Sequence, residues 1–168
     1  QGGADRIELC ENLYQGGVTP SAGKIKLAKK LLHIPVFVLI RPRKGDFFYS
    51  DTEFQTILED IHAAKALGAD GIVSGALLAA GHIDVRRTLL MAEAAHPLPF
   101  TFHRAFDMCR DALRAIDELA DCGVKRILTS GQQPDAVQGL ENLRRFAGYA
   151  GPRITILACG KLLPDNMA

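Results

Sequence analysis

The stretch LGADGIVSG, residues 67–75, holds the end of one periodicity and the start of another. Upstream, DTEFQTILEDIHAAKALG (51–68) puts Phe54, Ile57, Leu58, Ile61 and Ala64 on one helical face, with Asp51 as the expected N-cap. Gly68 then closes the helix, and the apolar run DGIVSG (70–75) reads as a buried strand. The same punctuation returns in GGADRI (2–7) and CGVKRI (122–127). It returns with a second helix too, DALRAIDELADCG (111–123), which opens on Asp111 and closes on Gly123.

On either side of this stretch lie further strand candidates, six in all: DRIELC (5–10), PVFVLI (35–40), DGIVSG (70–75), LPFTFH (98–103), VKRILT (124–129) and RITILA (153–158). Their starts differ by 30, 35, 28, 26 and 29 residues, with helical patterns between. Such repetition predicts βα units, a parallel sheet and right-handed crossovers. An open doubly wound sheet and a closed barrel both satisfy that. The near-constant period, the lack of a G-x-G-x-x-G after any strand, and polar residues inside strands (Glu8, Ser74, Thr101) favour the barrel. The expected fold is a TIM-barrel-type (β/α) repeat forming one domain over 1–168. A complete barrel takes about 250 residues, so six of eight strands are expected, with the chain short of one strand at each end. The opening QGG (1–3) reads as the end of a helix, consistent with a start inside the fold.

The totals exclude several function classes. A net charge of +1 gives no general attraction to nucleic acid or anionic membrane. No apolar run approaches the roughly 20 residues of a membrane helix. The four cysteines, at 10, 109, 122 and 159, show no C-x-x-C or zinc-finger spacing and read as reduced thiols of the cytoplasm.

Function in a barrel sits at the C-terminal ends of the strands. Charges gather there: Glu8, Arg41, Arg43, Asp46, His103, Arg104 and Asp107. We expect this group to share one pocket for a small anionic ligand, since two arginines at one strand end suit bidentate capture of carboxylate or phosphate. Backbone N–H groups at Ser130–Gly131 could assist. His103 and Asp107 are the candidate acid–base residues. Structural ion pairs around the rim are the competing reading of any one of these charges. Cys10 ends the first strand beside Glu8, where a buried packing thiol is the commoner fate.

Several phrases resemble the CutC copper-homeostasis family: GGADRIELCENLYQGGVTPS, IPVFVLIRPRKGDFFYSD, LGADGIVSGAL, GHID, LPFTFHRAFDM and RILTSG. The resemblance runs from residue 2 to about 157 and breaks at ACGKLLPDNMA, where the family shows a glycine-rich GGG. It implies a cytosolic TIM barrel linked to copper handling, with copper(I) as the bound ion and Cys10, matching the cysteine of the family's RIELC, as a metal ligand. A second family cysteine lies in a first strand that this chain lacks. Cys159 is expected five strands away, so copper(I) would be held weakly through Cys10 alone. Two classes stay open: a copper(I)-binding homeostasis protein, and an enzyme acting on a small anionic metabolite through the Arg41, Arg43, His103 and Asp107 cluster. Either is compatible with a homo-oligomer.

Overall fold

In the computed structural model, residues 3–163 are described; Gln1, Gly2 and residues 164–168, and with them part of the QGG and ACGKLLPDNMA readings, lie outside the described residues. Six strands form one sheet: β1 (Ile7–Leu9), β2 (Val36–Leu39), β3 (Gly71–Ser74), β4 (Phe100–Phe102), β5 (Arg126–Thr129) and β6 (Thr155–Ala158). Every pairing is parallel and the order is β1-β2-β3-β4-β5-β6, so β1 and β6 are the edges. Helices α1 (Ala22–Leu31), α2 (Asp51–Ala66), α3 (Val85–Ala95), α4 (Ala112–Asp121) and α5 (Leu140–Ala150) fill the crossovers. This is the barrel-type repeat expected from the spacing, as six strands of a half-barrel.

The continuous apolar runs are explained by burial of both sheet faces. Side chains alternate along a strand. Val36, Val38, Ile40, Ile72, Phe100, Phe102 and Ile127 join the main core with helix residues such as Ile57, Ile61, Met91, Ile116, Leu119 and Phe146. Each such side chain contributes about 1.5–3 kcal/mol on full burial. The alternate positions Phe37, Leu39 and Val73 form a separate small cluster, with Cys10 packed against it. The Phe37 ring lies over Gly71, where a Cβ would come within 2.5 Å of it. The Arg6 and Arg126 guanidiniums sit 4.7 and 5.3 Å from its centroid.

Helix starts follow the caps. Asp111 accepts from the Arg114 N–H at 3.1 Å, as expected. Helix α2 is capped by Ser50 rather than Asp51: its hydroxyl accepts from Glu53 N–H, and the Glu53 carboxylate accepts from Ser50 N–H at 2.7 Å. This reciprocal pair satisfies two otherwise orphaned donors, which Asp51 one residue later could not.

Candidate functional site

A cavity of about 710 Å³ opens where the strands end. Cys10 from the end of β1, Arg41 after β2, His103 and Arg104 after β4, and Cys159 and Gly160 after β6 all line it, with Glu8 lower on β1 and an apolar wall of Leu39, Val73, Phe47 and Leu128. A larger groove of about 1230 Å³ lies elsewhere, along α2 and α3. It contains none of the charged residues at the strand ends.

His103 is 4% exposed. It caps the short 3₁₀ turn Arg104–Met108 by accepting the Ala105 N–H at its Nδ1, 3.2 Å away. That is how a strand ends here without Gly, Asn or Pro: the imidazole does the capping. Because Nδ1 accepts, the proton of the neutral ring sits on Nε2. Nε2 is buried and has no hydrogen-bond partner among the described residues. Burial, then the nearby Arg41 charge, pushes the His103 pKa down to about 3. The ring is therefore a neutral donor at ordinary pH. The Phe47 ring packs on it, centroids 4.8 Å apart.

Arg41 is 5% exposed. Its Nη1 donates to the Gly16 and Gly17 carbonyls at 3.2 and 3.0 Å, and its Nη2 donates to Gly45 O at 2.7 Å. Both terminal nitrogens are thus spent on backbone, and the guanidinium lies 4.6 Å over Phe47. Arg41 thus clasps two loops together, while its buried Nε, on the cavity wall, has no hydrogen-bond partner among the described residues. Arg41→Ala should cost about 2–4 kcal/mol, since three carbonyls, that of buried Gly17 among them, lose a charged donor at once. Urea unfolding of the variant checks this; a loss of less than about 1 kcal/mol would mean the clasp is dispensable.

Arg43 and Asp46 do not line the cavity. Arg43 Nε donates to Glu53 Oε1 at 2.5 Å, and its Nη2 donates to Asp46 Oδ1 at 3.0 Å and Phe48 O at 2.8 Å. The Arg43 guanidinium, with the Ser50 cap, holds the Glu53 carboxyl down at about 2. The pair faces outward because the helix cap brings Glu53 within reach of Arg43, ten residues earlier. The expectation of one shared pocket for all seven charges is corrected to that extent.

Asp107 is likewise absent from the cavity lining, for a different reason. Its carboxylate turns into the loop after β5 and is saturated there. It accepts from Ser130 N–H at 3.1 Å, from Gln132 N–H at 3.1 Å, from the Thr129 hydroxyl, and from Arg104 Nε at 2.7 Å. Arg104 also donates through Nη2 to Ser130 Oγ at 2.6 Å. The Ser130–Gly131 backbone, expected to assist an anionic ligand, is committed within the protein, with Gly131 N–H donating to Thr129 Oγ1 at 2.9 Å.

Cys10 and Cys159 are free thiols that share the cavity, although they come from opposite edge strands. Cys159 stands five strands from Cys10, as expected, and both line the same cavity. Burial raises the Cys10 thiol, with Glu11 and Glu8 adding to it. Burial pushes Cys159 up to about 12, with Arg104 working the other way. Glu8 is raised by burial against the pull of Arg6 and Arg126. Among the described residues no three His, Cys, Asp or Glu side chains converge as a metal cluster. Cavity residues the sequence reading missed include Leu13, Tyr14 and Phe47; the paired glycines 16 and 17, both with positive φ, were the signal that the loop carrying Leu13 and Tyr14 folds back there.

Comparison with known proteins adds the family. The model of the CutC family matches residues 1–168. The human copper homeostasis protein cutC homolog is 47% identical over 167 residues, which cover 99% of this chain and 61% of the human protein. The chain thus spans less than two thirds of that relative's length. The crystal structure of a CutC protein from Streptococcus agalactiae aligns at a TM-score of 0.86 and 40% identity, covering 90% of this chain and 76% of that one. An aldolase, QR15, aligns at a TM-score of 0.67 and 17% identity over 84% of this chain and 65% of its own, a likeness of fold alone. Matched along its whole length and at this identity, the chain belongs to the CutC family.

Proposed function

We propose that this protein serves copper homeostasis by holding copper(I) as cargo at the strand-end cavity, with Cys10 as the first thiolate and Cys159 as the second. The observation that supports this is the placement of both thiols on one cavity. The donor set suits copper(I), a soft ion that selects thiolate. It does not suit a structural zinc ion, which takes four ligands. A copper(I) ion on two thiolates carries a net negative charge, which the cavity wall would have to tolerate with Arg104 already paired to Asp107. Both thiols start protonated, so capture releases protons and strengthens with rising pH. Free thiols and the cuprous state both require a reducing compartment, and we assign the cytoplasm.

The test is an anaerobic competition titration against a copper(I) chelator. Cys10→Ser and Cys159→Ser should each weaken binding by tenfold or more, a loss of about 1.4 kcal/mol or more, while Cys122→Ser, buried at the end of α4 against the Val85 carbonyl and outside the cavity, should not. Binding unchanged by Cys10→Ser would remove the cavity from the reading.

A second ligand class is favoured by one observation: the buried Nε2–H of His103 lacks an acceptor. An oxygen-bearing small anion in the same cavity would supply it. Such binding would survive Cys10→Ser and be lost in His103→Phe, which separates the two readings.

A further inference from the structure

The environment of Asp107 is that of an oxyanion site with its anion already in place. Two backbone N–H groups (Ser130, Gln132), one hydroxyl (Thr129) and one guanidinium (Arg104) converge on its carboxylate. Ser130 Oγ stands 3.1 Å from Oδ2, but its single proton has the Gln133 carbonyl at 2.5 Å, so it is not counted among the donors. Gln132 takes a positive φ of 58°, a conformation that non-glycine residues adopt rarely; here it accompanies an N–H turned onto Asp107 Oδ1. Backbone N–H groups converging in such a concavity bind anions, phosphate included; here Ser130 and Gln132 supply them, the Gly131 N–H between them turning to Thr129 Oγ1. Arg104 is shared between this nest and the cavity, so an anion seated in the nest would stand at the cavity wall. The Asp107 side chain itself is only 7% exposed.

We propose that Asp107 is a built-in anion that fills a phosphate-type nest on the β5–α5 loop and so closes this end of the cavity to phosphate and phosphorylated small molecules. The inference does not depend on the copper reading; it concerns which ligands are refused. Its physical basis is exclusion by prior occupancy: the four donors are satisfied intramolecularly, at the high effective concentration of a residue on the adjoining 3₁₀ turn. A free phosphate would have to displace a carboxylate that is tethered and already desolvated.

The test compares the intact chain with Asp107→Ala by thermal melting in inorganic phosphate, with sodium chloride at matched ionic strength as control. The unaltered protein should show no phosphate-specific shift. Asp107→Ala should melt lower in chloride and recover by roughly 3–6 °C when phosphate reaches about ten times its dissociation constant. Arg104→Ala introduced into that variant should abolish the recovery, which excludes phosphate bound elsewhere. If Asp107→Ala fails to fold in chloride, folding restored by phosphate supports the proposal, and failure in both salts overturns it. It is also overturned if the unaltered protein gains stability from phosphate to the same extent, or if a folded Asp107→Ala gains none.

Discussion

Titrated downward from pH 6.5, the protein is expected to lose about 1.4 kcal/mol of stability per pH unit through His103 alone, until the pH nears the folded-state value of about 3. The sign follows from proton counting. In the unfolded chain the imidazole takes up a proton below its ordinary value of 6.5, whereas in the fold burial and Arg41 keep it neutral. Across that window the unfolded state binds more protons, so stability rises with pH and falls with acid. Glu8 works the other way, because its raised folded pKa means the native state takes a proton the more readily. Urea unfolding at a series of pH values, for the protein and for His103→Asn, isolates the imidazole. Asparagine can still accept the Ala105 N–H but does not titrate. The variant should start less stable at pH 7.5 and lose less on acidification, so the two curves approach each other. Parallel curves would show that His103 is not the acid-sensitive group.

Two glycine-to-alanine changes close together in sequence should have opposite effects. At Gly139 a Cβ would fall 1.8 Å from the Ser130 carbonyl oxygen and 3.1 Å from Gly131 Cα. These are backbone atoms of the loop that holds Asp107, so no side chain can swing aside. Gly139→Ala should cost about 3 kcal/mol or more, equivalent to a melting point lower by roughly 6–12 °C. At Gly148, nine residues on and exposed on α5, a Cβ meets nothing within 4 Å. Gly148→Ala should add about 0.5–1 kcal/mol, because alanine loses less backbone entropy in a helix. Calorimetry on the two variants decides both. Equal melting points would mean that the Gly139–Ser130 contact yields without cost.

The sheet could be read from the sequence because its signals are local. Gly68, with φ of 87°, and Gly123, with φ of 76°, end their helices where the punctuation placed them, and six apolar runs became six strands. Boundaries shrank inward, as with LPFTFH (98–103), whose strand is Phe100–Phe102, since a run of apolar residues extends beyond its ladder of hydrogen bonds. The site was less legible. A charge at a strand end is visible in sequence, but the direction of its side chain is set by partners far along the chain. Arg43 turned outward to Glu53, and Asp107 turned into the loop at 129–132. That Cys10 and Cys159, five strands apart, line one cavity could not be read from strand counting, which carries no information on curvature.

The strand order has a consequence for how the chain assembles. Each strand pairs with its sequence neighbours, so every ladder closes a loop of similar length and carries a similar entropic cost. Among the described residues no ladder joins β1 to β6. During synthesis, β1 and β2 can therefore pair as soon as α1 has emerged, and each later unit finds its docking edge already formed. Within these six units, the slow folding step should be the packing of the β5–α5 loop around Asp107, whose contacts draw on two separate segments of the chain.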